Sequence, residues 1–106
     1  MEELAMDLTG EKLANYIFKK FGTGDVFKIA AMAEIKIAYA AWFPVTHGEF
    51  DKQDKSVTIN LNSSMEKELI LAHELAHFFI DQAGLRLTRN QEELIASDFM
   101  RVLQEK

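Results

Sequence analysis

Two of the three histidines in this chain stand four residues apart, His73 and His77 in the stretch LAHELAHFFI, and Glu74 directly follows the first. On an α-helix, residues four apart share a face about one turn from each other. Both imidazoles can then offer a nitrogen to a single Zn²⁺ at ~2.0–2.1 Å. Glu74 falls roughly 100° further round, out of line as a ligand but within reach of a water on the ion. Zinc brings the pKa of such a water to ~7, and a carboxylate placed there takes its proton as it attacks a carbonyl. H-E-x-x-H is therefore the mark of a metallopeptidase element. The ordinary alternative is a buried helix whose histidines are satisfied by hydrogen bonds.

Such a pair needs a helix held in the middle of a domain. Leu71, Ala72, Leu75, Ala76, Phe78 and Phe79 cover the far side of this one, while Leu69, Ile70 and Ile80 flank the histidines. A helix apolar nearly all round is buried, and polar groups carried into such a setting need partners. A metal ion is one. Ser63 with Glu66 has the pattern of a capping box opening this helix, which runs to about Gln82 with Gly84 as its stop.

The remaining elements follow from local signals. Thr9 caps a helix bearing Leu13, Tyr16, Ile17 and Phe21 and ending near Gly22, and Asp25 caps a shorter second helix. Ile35, Ile37 and Tyr39 then alternate with Lys36, Ala38 and Ala40, a strand ending before Pro44. VTHGEF and SVTINLN flank the polar turn DKQDK as a hairpin. Asn90 with Glu93 reads as a second capping box, opening a helix towards the C-terminus. The expected architecture is one α+β domain over residues 1–106, a small three-stranded, mostly antiparallel sheet packed with four helices.

Composition narrows the function classes. With no cysteine among 106 residues, disulfides are excluded and any metal must be held by nitrogen and oxygen. A net charge of −5 and the absence of a recurring basic face argue against direct nucleic-acid binding. The acidic start lacks the form of a signal peptide, and no apolar run reaches membrane-spanning length, so a cytoplasmic location is the default expectation.

A catalytic zinc needs a third protein ligand and an open position. A further histidine at H-E-x-x-H-x-x-G-x-x-H spacing is absent, since Ile80 and Ala83 occupy those places. NQEELIASDFMRVL offers Glu92 and Glu93 instead. On a helical wheel Glu92 projects near the middle of the apolar arc and Glu93 at its edge, which leaves both in play.

Taken together, TINLN at 58–62, AHELAH at 72–77 and the run Glu93, Ala96, Phe99, Leu103 resemble the ImmA/IrrE-type metallopeptidases, compact zincin-like domains. GTGDVFKIAAMAEIKI and GEFDKQDKSVTIN resemble that family's lead-in, so the likeness spans most of residues 22–103. It implies His73, His77 and Glu93 as metal ligands, with Glu92 the alternative, and Glu74 as the base. It also implies a zinc endopeptidase of narrow specificity whose substrate is a helix-turn-helix transcriptional repressor. Ala76 replaces the family's usual glycine, Met100 a common alanine, and Asp81 a frequent histidine, read here as a solvated helix-end acid.

Tyr39 and His47 are the nearby candidates for an oxyanion donor; core packing and a loop position are their ordinary roles. An exposed sheet edge would suit substrate bound as an added strand. Zn²⁺ is the expected ion, and Mn²⁺ suits two imidazoles and a carboxylate equally. A second functional class, a module that grips a regulator without cutting it, is also consistent with the small acidic chain.

Overall fold

Thr9 and Asp25 start the first two helices in the computed structural model, which describes residues 8–42 and 46–106. Thr9 Oγ1 accepts the Lys12 N–H to open α1 (Gly10–Phe21), and Gly22, at φ 72°, closes it in the left-handed region. Asp25 Oδ1 accepts from the Phe27 and Lys28 amides at the head of α2 (Val26–Met32). The first strand ends at Ala40, before Pro44 as expected, and the Val45 of the expected hairpin lies outside the described residues.

Three strands follow: β1 (Lys36–Ala40), β2 (Gly48–Asp51) and β3 (Ser56–Asn60). Asp51 accepts from the Gln53 and Asp54 amides and so shapes the hairpin between β2 and β3. The sheet order is β1-β3-β2, with β1 parallel to β3 and β2 antiparallel to it. The mostly antiparallel sheet expected from the sequence is therefore a mixed one. Alternation assigns faces, not neighbours or directions. Val57 and Ile59 have no exposed surface, which suits β3 to the centre, whereas Tyr39 on β1 is half-exposed.

The central helix α3 (Lys67–Gln82) starts four residues after Ser63. Its N-cap is Glu66 without a side-chain cap bond, so the expected Ser63–Glu66 capping box does not form. Ser63 Oγ is spent instead on the Met65 amide and on His47. The helix ends where expected, with Gly84 at φ 74° just beyond it.

Helix α4 (Arg89–Gln104) is likewise capped elsewhere than expected: Thr88 and Gln91 form its capping box, not Asn90 and Glu93. A hydroxyl two residues earlier wins the contest for the backbone amides.

Packing holds α3 in place on several sides. Leu71, Leu75, Phe79 and Ile80 are fully or nearly fully buried, in one core with Leu13 and Ile17 of α1, Val57 and Ile59 of β3, and Phe99 of α4. Phe50 of β2 meets Phe78 edge-on at 6.0 Å, tying the hairpin to the helix. Gly10 lets α1 approach α4 closely, since a β-carbon there would fall 2.4 Å from the Phe99 amide nitrogen. Among the described residues no helix is long and apolar enough to cross a membrane.

Candidate metal centre

The face that α3 leaves uncovered carries His73 and His77, their ring centroids 4.8 Å apart. Their side chains are 26% and 17% exposed, so the rings line a cleft rather than project into solvent. The first turns of α4 run alongside and bring three of the four remaining contacts.

Glu93 sits between the two rings. Its Oε2 lies 3.0 Å from His73 Nε2 and its Oε1 3.0 Å from His77 Nε2. Behind the rings, Glu74 Oε2 stands 3.1 Å from His73 Nδ1, and Glu92 Oε1 stands 2.9 Å from His77 Nδ1. All four imidazole nitrogens thus face carboxylate oxygens.

That arrangement poses a proton problem. Two neutral imidazoles carry two N–H protons between them, but four nitrogen–oxygen contacts are at hydrogen-bond distance. The missing protons can sit on the rings or on a carboxyl group, or a cation can stand in for them on one side. With Nδ1–H donated to Glu74 and Glu92, both Nε2 lone pairs and the Glu93 oxygens are left converging as acceptors on one point. Such a set could hold a metal ion, with Glu74 and Glu92 placed to orient the histidines from behind.

The charge state follows the same logic. The hydrogen bond to Glu74 raises the His73 pKa above the ordinary imidazole value; burial opposes this, and Glu93 adds to it. Partial burial works against ionisation of Glu93, but the hydrogen bond and charge of His73 and the charge of His77 outweigh it and hold the carboxyl low.

His73, His77 and Glu93 each offer one ligand atom, and these atoms lie within 4.8 Å of one another. A tetrahedral zinc at ~2 Å from its ligands holds them roughly 3.3 Å apart, so modest side-chain movements close the gap. Glu92, the alternative third ligand, meets only the far nitrogen of His77. Glu74 is 8% exposed and lines the same cleft, of about 570 Å³, as the histidines and Glu93.

The two donor candidates separate. His47 lines this cleft, whereas the half-exposed Tyr39 on β1 is not among its walls. Asp81 is a partly exposed helix-end acid 3.9 Å from Lys52 Nζ. Sequence reasoning missed Arg89, which opens α4 and lines the cleft, and the His47–Ser63 contact. Asn60, part of the TINLN stretch, was given no role there; it is 2% exposed, accepts from the Trp42 and Asn62 amides and donates to the Thr46 carbonyl. A polar residue ending an apolar strand was the available signal for Asn60; nothing local distinguished Arg89.

Comparison with known protein families, curated proteins and solved structures returns no match, so the functional reading stands on the site and on the sequence motifs.

Proposed function

We propose that this chain is a zinc-dependent endopeptidase of narrow specificity, a minimal zincin-like domain acting in the cytoplasm. His73, His77 and Glu93 hold the ion and Glu74 is the general base. The observation that carries this reading is the Glu93 carboxylate, each oxygen 3.0 Å from the Nε2 of a different histidine. When bound, the ion supplies Lewis-acid chemistry, acidifying a water and polarising the scissile carbonyl. The chain's own residues do the rest. Glu93 and the two imidazoles fix the position, Glu92 and Glu74 orient the rings, and Glu74 receives the proton of the attacking water.

The likeness to ImmA/IrrE-type metallopeptidases supplies the substrate class, a helix-turn-helix repressor. A net charge of −5 favours a partner with the basic surface of a DNA-binding protein. The test is co-incubation of the zinc-loaded protein with helix-turn-helix repressors from the same source. The parent should yield two fragments. Glu74→Gln, which keeps an oxygen acceptor for His73 Nδ1, should still bind one equivalent of zinc and lose ~10²–10⁴-fold in cleavage rate. An intact complex with the parent protein would mean sequestration instead, and undiminished cleavage by Glu74→Gln would remove Glu74 from the mechanism.

A further inference from the structure

The cleft has a second wall, formed by the chain as it enters β2, and His47 and Gly48 line it. Gly48 brings this wall against α3: a β-carbon built there would lie 2.6 Å from Ile70 Cγ2 and 3.3 Å from Glu74 Cγ. The residue before Gly48 is therefore held near the carboxylate assigned the proton.

His47 is fixed from two directions. Its carbonyl accepts the Asn60 amide at 2.9 Å, and the preceding Thr46 carbonyl accepts from Asn60 Nδ2. Its ring Nδ1 shares a 2.6 Å hydrogen bond with Ser63 Oγ. Ser63 Oγ already accepts the Met65 N–H at 3.0 Å, so its own proton is available to Nδ1. An imidazole that accepts at Nδ1 carries its proton on Nε2 and is a donor there.

Besides His47, the lining offers two side-chain donors, the Thr46 hydroxyl, exposed at the rim, and the Arg89 guanidinium. Glu74 and Glu93 are acceptors, and all four nitrogens of His73 and His77 are turned to carboxylates. Arg89, the one Lys or Arg among the described residues of the lining, stands on α4 one turn before Glu93, on the ligand side of the cleft.

Resting on the peptidase reading above, we propose that His47 is a further catalytic residue, donating from Nε2 to the oxyanion of the tetrahedral intermediate, with Ser63 as its positioning residue. As water adds to the peptide carbonyl, its oxygen bonds to the carbon and its proton passes to Glu74. The π pair moves onto the carbonyl oxygen, and the anion formed there is the group His47 meets. A donor oriented in advance costs no reorganisation at that moment.

The test is calorimetric binding of two probes to the zinc-loaded full chain. N-phosphoryl-Leu-Phe presents a tetrahedral anionic oxygen beside its zinc-binding group, and acetohydroxamate chelates zinc without one. His47→Ala should weaken the phosphoryl dipeptide ~10²-fold or more, matching the loss from one oxyanion donor, and leave acetohydroxamate within about twofold. Ser63→Ala should give a smaller selective loss that disappears in the His47→Ala background. Unchanged phosphoryl binding would overturn the proposal. So would equal weakening of both probes, which marks a structural role, or a selective loss on Arg89→Ala and not on His47→Ala. If the parent protein takes up no zinc and binds neither probe, the metal-site reading itself has failed and the proposal falls with it.

Discussion

Glu92 and Glu93 are adjacent acids near the start of one helix, yet they meet different atoms, and under the proposed zinc site that difference predicts a measurable order of affinities. Glu93 offers an oxygen to each Nε2, the nitrogens left for an ion, whereas Glu92 meets only His77 Nδ1. Loss of an orienting partner behind a metal-bound histidine costs ~10–100-fold in affinity. Water can replace part of the Glu92 contact, because that side chain is 30% exposed. Glu92→Gln also keeps an acceptor for Nδ1–H, so its cost belongs at the low end, ~10-fold or about 1.4 kcal/mol. Glu93→Gln removes the negative charge and one of the two oxygens, and should exceed ~100-fold, more than about 2.7 kcal/mol. Folding should not confound the comparison, since partly exposed ion pairs are worth at most about 1 kcal/mol. The assay is competition with a chelating dye of known zinc affinity at fixed pH, with circular dichroism to confirm the fold. Zinc lost from Glu92→Gln but retained by Glu93→Gln would put the ion on the other side of His77 and refute the assignment.

Proton linkage gives a second check. His73 is raised in the metal-free protein, so its stabilising contribution is fully present below the unfolded imidazole value and is lost as pH rises through the folded one. Glu93 is lowered, so its contribution is present above the ordinary carboxylate value and is lost as pH falls through the folded one. Metal-free stability from this pair should therefore be greatest in the mildly acidic window between them. Zinc must displace the His73 proton, so its affinity should climb as pH rises through that raised value. Calorimetry in two buffers of different ionisation heat should detect proton release at mildly acidic pH; binding with no buffer dependence would contradict the proton count at the site. A third prediction concerns the wall beside Glu74. Gly48→Ala forces a methyl to within 2.6 Å of Ile70 Cγ2, so unfolding experiments should show a loss of about 1–3 kcal/mol, and a variant as stable as the parent would mean the strand moves aside freely.

What the sequence revealed and what it hid divide along the range of the interactions involved. The caps at Thr9 and Asp25 depend on amides two or three residues away, and each is found where the local pattern puts it. The burial of α3 was legible because apolar residues nearly encircle it, and His73 and His77 share a face through helical geometry alone. The direction of β1 was hidden, because period-two alternation is the same for either strand direction. The position of His47 was hidden as well, since it depends on Asn60 and Ser63, residues 13 and 16 positions away.

The start of α4 shows how a small local misreading bears on a site. A capping box on Asn90 would make Glu93 the third residue of the helix, with its side chain folded back to the cap amide. That role and metal ligation draw on the same carboxylate. Thr88 caps the helix instead, and Gln91 becomes the third residue and bonds the Thr88 amide at 2.8 Å. Glu92 and Glu93 then follow the box rather than belong to it. Both side chains are released from the backbone, one to each side of the His77 ring. A shift of two residues in where one helix begins is thus what turns an expected capping acid into the carboxylate between two imidazoles.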